Sequence, residues 1–195
     1  DIPRPFLRMP WDEAMARFGS DKPDLRLDLE LCDVTDACQG SGFRIFDAAV
    51  QNGGVVKALR ITGKQAGDEL SRSVLDGLTA FAKPWGAKGV AFARVQAGGA
   101  WQAPFAKAFA DTARAAVNQK TGAQEGDVLL FVADTQAVAN ASLGALRLHL
   151  GKKLRLVRET EWRFLWMVDM PLFERADHGA WMAAHHPFTS PREQD

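Results

Sequence analysis

Alternating apolar and polar positions predict a mixture of strands and helices along this chain of 195 residues. The leucines at positions 25, 27, 29 and 31 alternate with charged residues, which is the period-two pattern of a short strand or extended linker. The run 127–133 is almost entirely apolar, which is typical of a central strand. Further strands are predicted at residues 43–46, 55–61, 89–95, 164–170 and 181–186. Asn52, Gly53 and Gly54 predict a hairpin turn between the strands 43–46 and 55–61.

Helical spacing of apolar residues predicts four helices, one before these strands and three between them. In the first, Trp11, Met15 and Phe18 form one apolar stripe, with Pro10 in the first turn and Gly19 after the last. The other three are predicted after Ser71, over 104–117, and from a cap at Asp134 or Thr135 to about Leu150.

From residue 43 to 150 the predicted order is β-β-α-β-α-β-α. This order predicts an α+β fold with a mixed or antiparallel sheet and helices on one face, in a ferredoxin-like arrangement.

Composition narrows the classes of function. The 24 basic and 24 acidic residues balance, which argues against a domain that grips nucleic acid mainly by charge. No apolar run is long enough for a membrane span and no signal peptide is recognised, so we expect a cytoplasmic protein without membrane contact. The first residue is Asp1 rather than Met, which fits a fragment or a processed chain. Cys32 and Cys38 have no Cys or His cluster beside them and are expected to be reduced thiols rather than metal ligands.

The strongest chemical candidate is the adjacent pair His185 and His186. Neighbouring side chains on an extended segment point to opposite faces, so one metal ion is not expected to bind both imidazoles. One reading is that one imidazole binds an anionic or polar ligand while the other supports it. The alternative is a pair of loop histidines with structural partners, and the residues themselves leave both readings open.

Two other groups of charged residues are weaker candidates. Asp169 and Glu174 flank Pro171 and form either a carboxylate pair or a surface turn. A basic cluster near the end of the last helix predicts either a phosphate contact or a solvated helix end with cations near the negative end of the dipole. The cluster comprises Arg147, Lys152, Lys153, Arg155 and Arg158.

The strings that bracket the chain resemble bacterial-type aspartyl-tRNA synthetase, a class II enzyme. The long, specific matches are residues 13–26, 164–174 and 185–191. The shorter strings 86–89 and 144–148 are similar to the module inserted in that enzyme, and the resemblance spans essentially the whole chain.

The resemblance implies a homodimeric parent enzyme that activates L-aspartate with ATP and Mg and transfers it to tRNA. Residues 27–157 would be its insertion domain, the GAD domain, which is shared with the B subunit of tRNA-dependent amidotransferase. Residues 1–26 and 158–195 would be flanking pieces of the class II catalytic core. By the same resemblance, His185 contacts the substrate L-aspartate and His186 lies beside it.

The chain lacks the family's motif 1, motif 2 arginine loop, motif 3 and anticodon-binding barrel, the parts that hold ATP, magnesium and the anticodon. We therefore expect the chain alone to have no catalytic residue, no metal site, no bound ATP or Mg, no aminoacylation activity and weak or no tRNA contact. The alternative is a stand-alone tRNA-binding or spacer module of the amidotransferase B-subunit type. A free module has no need of the string 185–191, which favours the synthetase.

Overall fold

The computed structural model describes residues 4–176 and 179–184. Its strands are β1 (Leu7–Pro10), β2 (Leu31–Asp33), β3 (Val55–Ile61), β4 (Ala91–Val95), β5 (Trp101–Gln102), β6 (Val128–Asp134), β7 (Leu165–Val168), β8 (Phe173–Arg175) and β9 (Trp181–Ala183). Its helices are α1 (Trp11–Phe18), α2 (Thr35–Cys38), α3 (Arg44–Gln51), α4 (Gly63–Ala66), α5 (Arg72–Ala82), α6 (Asp111–Thr121) and α7 (Gln136–Lys153). None of the helices in the described ranges is long and apolar enough to cross a membrane.

A five-stranded antiparallel sheet forms the centre of the molecule, with the strand order β2-β3-β6-β4-β5. The apolar strand β6 lies between β3 and β4 and pairs with β3 from Val55↔Asp134 to Ile61↔Val128. The predicted central position of this strand and the α+β class with an antiparallel sheet are therefore confirmed. The ferredoxin-like arrangement is not confirmed by this order. We call residues 31–153, from β2 to the end of α7, the sheet module.

Helices cover both faces of the sheet, so the prediction of helices on one face was wrong. Leu129 and Phe131 face a layer that contains α3 and α6, whereas Leu130 and Val132 face a layer that contains α5 and α7. Successive residues of a strand point to opposite faces, and β6 is apolar on both. Each apolar face needs its own covering layer to exclude water.

The predicted strand at 43–46 and the hairpin after it are also wrong, because α3 occupies Arg44–Gln51. Phe46 is buried against Phe131, with ring centroids 5.5 Å apart. Gly53 (φ 75°) ends the helix, and the N–H of Gly54 donates to the carbonyl of Ala49 at 2.9 Å. A glycine with positive φ terminates a helix as well as it forms a hairpin turn, and a run of four residues carries too little periodicity to separate the two.

The other predicted helices are found with shifted bounds. Ser71 and Thr135 cap α5 and α7, each accepting a hydrogen bond from the N–H three residues on. The helix predicted at 104–117 instead begins at Asp111, after a turn-rich segment that buries Phe105 and Phe109. Residues 63–66, where no helix was predicted, form a helical turn with a capping box between Thr62 and Gln65. Local capping residues therefore mark helix starts more reliably than the apolar stripe does.

Cys38 is a fully buried, free thiol in the core layer that contains α3 and α6. Burial chiefly, and secondarily the carboxylates of Asp47 and Asp33, raise the pKa of this thiol to about 12. The pKa of an exposed thiol is near 9.0, so above that pH the thiol ionises only in the unfolded chain.

We therefore expect ionisation of the Cys38 thiol in the unfolded chain to lower the free energy of unfolding by about 1.4 kcal/mol per pH unit above pH 9. Below pH 9 the thiol stays protonated and this pH dependence is absent. Urea unfolding of the wild-type chain and of Cys38→Ala between pH 7 and about 10.5 measures this effect. The difference between the two stability curves should be flat at neutral pH and should fall at alkaline pH. Parallel curves over the whole range would contradict the predicted ionisation.

The segments on either side of the sheet module meet in a parallel pair of strands. β1 pairs with β7 from Leu7↔Leu165 to Pro10↔Val168, and we call these two strands the flank pair. Met9, Ala14 and Phe18 form a small buried cluster with the partly buried Leu165 and Met167. The strand predicted at 164–170 is confirmed, but it is only partly buried, since Trp166 is 58% exposed.

Candidate functional site: the junction of the flank pair and the sheet module

The predicted aspartate ligands His185 and His186 lie outside the described residues. The hairpin of β8 and β9 leads directly to them, with Phe173 paired to Ala183 and the N–H of Ala184 donating to the carbonyl of Leu172 at 2.9 Å. The guanidinium of Arg175 lies 4.6 Å from the ring centroid of Trp181. The structure thus describes the approach to the histidine pair, and their binding role stays a prediction.

The two carboxylates considered as a pair lie in different parts of the chain, one after β7 and one within the β8–β9 hairpin. Asp169 directly follows β7 with left-handed backbone (φ 57°), which aspartate tolerates better than most residues. Glu174 lies on the exposed strand β8. The proposed carboxylate pair also stays a prediction.

The basic cluster predicted near the end of α7 divides into one buried and four exposed residues. Arg147 is 1% exposed, so a phosphate contact by this residue is wrong. Its guanidinium donates to three backbone carbonyls: to Leu29 through Nε, and to Asp24 and Leu27 through one terminal nitrogen at 2.7 and 2.8 Å. Burial lowers the pKa of Arg147 to about 10, against the opposing charges of Asp24 and Glu30. The exposed members are Lys152, Lys153, Arg155 and Arg158.

All three carbonyls belong to residues 19–30, the stretch between α1 and the sheet module, which we call the entry segment. Backbone contacts hold its start on α7. A Cβ atom on Gly19 would lie 2.1 Å from the carbonyl oxygen of Asn140, and one on Gly144 would lie 2.9 Å from that of Gly19. Farther along, a Cβ atom on Gly151 would lie 2.5 Å from the side chain of Leu27. Glycine is needed at positions 19 and 144 because α1 and α7 approach there at backbone distance.

Two further basic side chains join α1 to its neighbours, one to the sheet module and one to the entry segment. The ammonium group of Lys57, on β3, is buried and donates to the carbonyl of Ala16 in the last turn of α1 at 3.2 Å. Burial lowers the pKa of Lys57, and the nearby Asp33 carboxylate opposes this shift. Arg17 donates from Nε to Glu30 at 2.9 Å. The buried cations Lys57 and Arg147 therefore bind the backbone of α1 and of the entry segment to the sheet module, and Arg17 ties α1 to the entry segment.

A separate groove of about 1140 Å³ lies between α3, the start of β4 and the start of α7. Phe105, Phe131 and Ala133 contribute apolar lining. At its polar end the ammonium group of Lys88 lies 3.2 Å from Asp134 Oδ2. A mostly apolar concavity with a few polar groups has the character of a small-molecule site. The groove includes none of the described residues that the sequence proposed for chemistry, because its lining is spread over five separate stretches of chain.

Within the described ranges, no cluster of three or more metal-ligating side chains is found. The fold therefore defines the class of protein. It is an antiparallel α+β module covered by helices on both faces, and its two connecting segments meet in a parallel pair of strands. The GAD domain matches residues 46–143, about half of the chain and wholly within the sheet module. The chain belongs to the GAD domain family.

Similarity to known proteins extends through both flanking segments. The chain is 50% identical over 197 residues to an aspartate–tRNA ligase of Exiguobacterium sibiricum, with 100% of this chain and 33% of that protein covered. It is 48% identical over 196 residues to an aspartate–tRNA(Asp/Asn) ligase of Anoxybacillus flavithermus and 46% identical over 196 residues to an aspartate–tRNA ligase of Halalkalibacterium halodurans. These matches cover 33% and 32% of the two relatives. The chain thus spans about a third of their length, and its resemblance to bacterial aspartyl-tRNA synthetases around the GAD domain is confirmed.

Proposed function

We propose that this chain is the part of an aspartate–tRNA ligase that carries its insertion domain. The parent enzyme activates L-aspartate with ATP and Mg and transfers it to tRNA. The observation that carries this proposal is the 46% to 50% identity over the whole chain, which continues outside the GAD match at 46–143 into both flanks. A stand-alone module of the amidotransferase type needs similarity only within that match, so the flanks favour the ligase.

In this proposal residues 27–157 are the insertion domain, and 1–26 and 158–195 are parts of the class II catalytic core. Several large apolar side chains of the flanks are exposed, and the remaining two thirds of the ligase supply the surface that covers them. These side chains, each with its exposed fraction, are Leu7 (51%), Trp162 (75%), Phe164 (43%), Trp166 (58%), Phe173 (61%), Trp181 (64%) and Met182 (49%). The parent is a cytoplasmic homodimer that holds ATP and Mg through residues outside this chain.

His185 binds the substrate by donating a hydrogen bond from its imidazole to a carboxylate of L-aspartate, and His186 supports that loop. Because the ligand is a small dicarboxylate, a charge-assisted hydrogen bond gives both affinity and orientation. The insertion domain makes a local contact with the tRNA or guides it sterically. The balanced charge of the chain as a whole supports a weak contact rather than an electrostatic grip.

The full-length parent is expected to catalyse aspartate-dependent exchange between ATP and pyrophosphate and to charge tRNA, whereas the 195-residue chain does neither. In the parent, His185→Ala should raise the KM for aspartate by roughly tenfold or more, since a hydrogen bond to a charged group is lost. His186→Ala should have a smaller effect, and the KM for ATP should change little in both variants. Exchange activity in the isolated chain, no charging by the parent, or an unchanged KM for aspartate in His185→Ala would each contradict its part of the proposal.

A further inference from the structure

We propose that Arg147 is a positioning residue that fixes the orientation of the sheet module relative to the flank pair. Its side chain arises from α7, inside the sheet module, and binds backbone outside that module. The inference about orientation stands on this geometry alone. Only its consequence for tRNA charging rests on the proposed function.

The backbone acceptors of Arg147 are the first observation that supports a positioning role. Carbonyls of Asp24, Leu27 and Leu29 receive the hydrogen bonds of Arg147, and no carboxylate of the described residues receives one. A buried guanidinium without a carboxylate partner is costly to desolvate, so its hydrogen bonds must all be formed together. The planar group offers several donors in a fixed fork, which allows one side chain to fix the path of six consecutive residues.

A second observation is the aromatic ring that lies beneath the guanidinium group of Arg147. The guanidinium carbon of Arg147 lies 4.8 Å from the ring centroid of Phe18. Phe18 belongs to the same buried cluster as Met9 of β1 and packs with Leu165 of β7. Arg147 therefore touches the entry segment and the apolar cluster of the flank pair at the same time, from within the sheet module.

A third observation is the contrast between the entry segment and residues 158–163, which lie between the sheet module and β7 in the chain. Within the described residues, the hydrogen bonds of 158–163 remain inside that stretch: the N–H of Glu161 donates to the carbonyl of Arg158, and Arg163 Nε donates to Glu161 at 2.7 Å. Trp162 stacks on Phe164 and is 75% exposed. Orientation is therefore set on the entry side, where Arg147 acts.

Arg60 offers a matched control for the loss of an arginine. Its Nε donates to Asp127 Oδ2 at 2.6 Å, entirely within the sheet module. Arg60→Met removes an ion pair of the module without touching α1 or the entry segment. A general loss of stability should follow from both substitutions, whereas a loss of orientation should follow only from Arg147→Met.

The direct test is a distance distribution between the flank pair and the sheet module in the 195-residue chain. Spin labels at the exposed positions Arg8 and Gln51, with Cys32 and Cys38 replaced by alanine, report that distance by pulsed electron resonance. We expect one narrow distance in the labelled chain without a further substitution, and also in its Arg60→Met variant. Arg147→Met should lose the narrow peak, and Arg147→Lys should keep part of it, since an ammonium group replaces only some of the hydrogen bonds. A narrow peak in Arg147→Met, or equal broadening in Arg60→Met, would overturn the proposal.

The functional test uses the full-length ligase. Arg147→Met should raise the KM for tRNA by roughly tenfold while aspartate-dependent exchange between ATP and pyrophosphate is retained. An equal loss in both assays would show general damage and would overturn the positioning role, as would an unchanged KM for tRNA. If the unaltered full-length protein shows no aspartate-dependent exchange, the proposed function fails, and the distance measurement still decides the role of Arg147.

Discussion

Replacement of Phe131 by alanine is expected to lower the free energy of unfolding by about 3–5 kcal/mol. Phe131 lies in the central strand β6 and is fully buried. Its ring centroid lies 5.5 Å from that of Phe46 and 5.6 Å from that of Trp101. Truncation removes the buried ring and leaves a cavity among side chains from three different elements, which cannot all move to fill it.

Urea unfolding followed by circular dichroism measures this loss, and Phe173→Ala is the matched control. Phe173 is 61% exposed on β8, so its truncation should change the free energy of unfolding by less than about 0.5 kcal/mol in the isolated chain. Similar losses for the two variants would mean that the aromatic layer beneath β6 is not the centre of the folded core.

Replacement of Gly19 by alanine is expected to lower the free energy of unfolding by about 2–5 kcal/mol. Gly19 has φ 67°, a conformation that costs a residue with a side chain, and it ends α1. The added Cβ would lie 2.1 Å from the carbonyl oxygen of Asn140, so α1 must also move away from α7. Main-chain atoms on both sides leave no flexible side chain to yield.

Gly53→Ala separates the two contributions. Gly53 has a similar φ of 75°, but nothing lies within 4 Å of the position that its Cβ would take. This variant should therefore lose only the backbone contribution, about 1–2 kcal/mol. Thermal and urea unfolding of the two variants would give equal losses if the close approach of α1 and α7 did not matter.

The sequence predicted the elements whose signals are local. The continuous apolar run of β6 gave its central position, and Ser71 and Thr135 gave the starts of α5 and α7. The strand β6 is apolar on both faces, so both faces needed a covering layer, and the prediction of helices on one face overlooked this. The strand expected in place of α3 shows the limit, because Phe43 to Phe46 is too short to display a period and Asn52-Gly53 suits either structure.

The candidate site was less accessible to prediction. In the sequence Arg147 is one of several basic residues near the end of a helix, which favours a solvated or phosphate-binding surface. Its burial depends on carbonyls more than a hundred positions away, as with the bond to Leu29. Gly144 and Gly151, one turn to either side of it on α7, are the nearest sequence signal, since small residues on a helix permit close packing. The histidine pair was a candidate from its residue types alone, and only the family resemblance named L-aspartate as its ligand.

The parallel pairing of β1 with β7 has a consequence for how such a molecule can change over evolution. Leu7 and Leu165 are register partners although the whole sheet module separates them in the chain. The chain leaves for the sheet module after β1 and returns from it at β7. Because these two strands are neighbours, the surrounding protein contacts the same pair of strands whatever folded unit lies between them. Such a geometry tolerates the gain, exchange or shortening of an entire folded unit at that point without a new path for the host backbone.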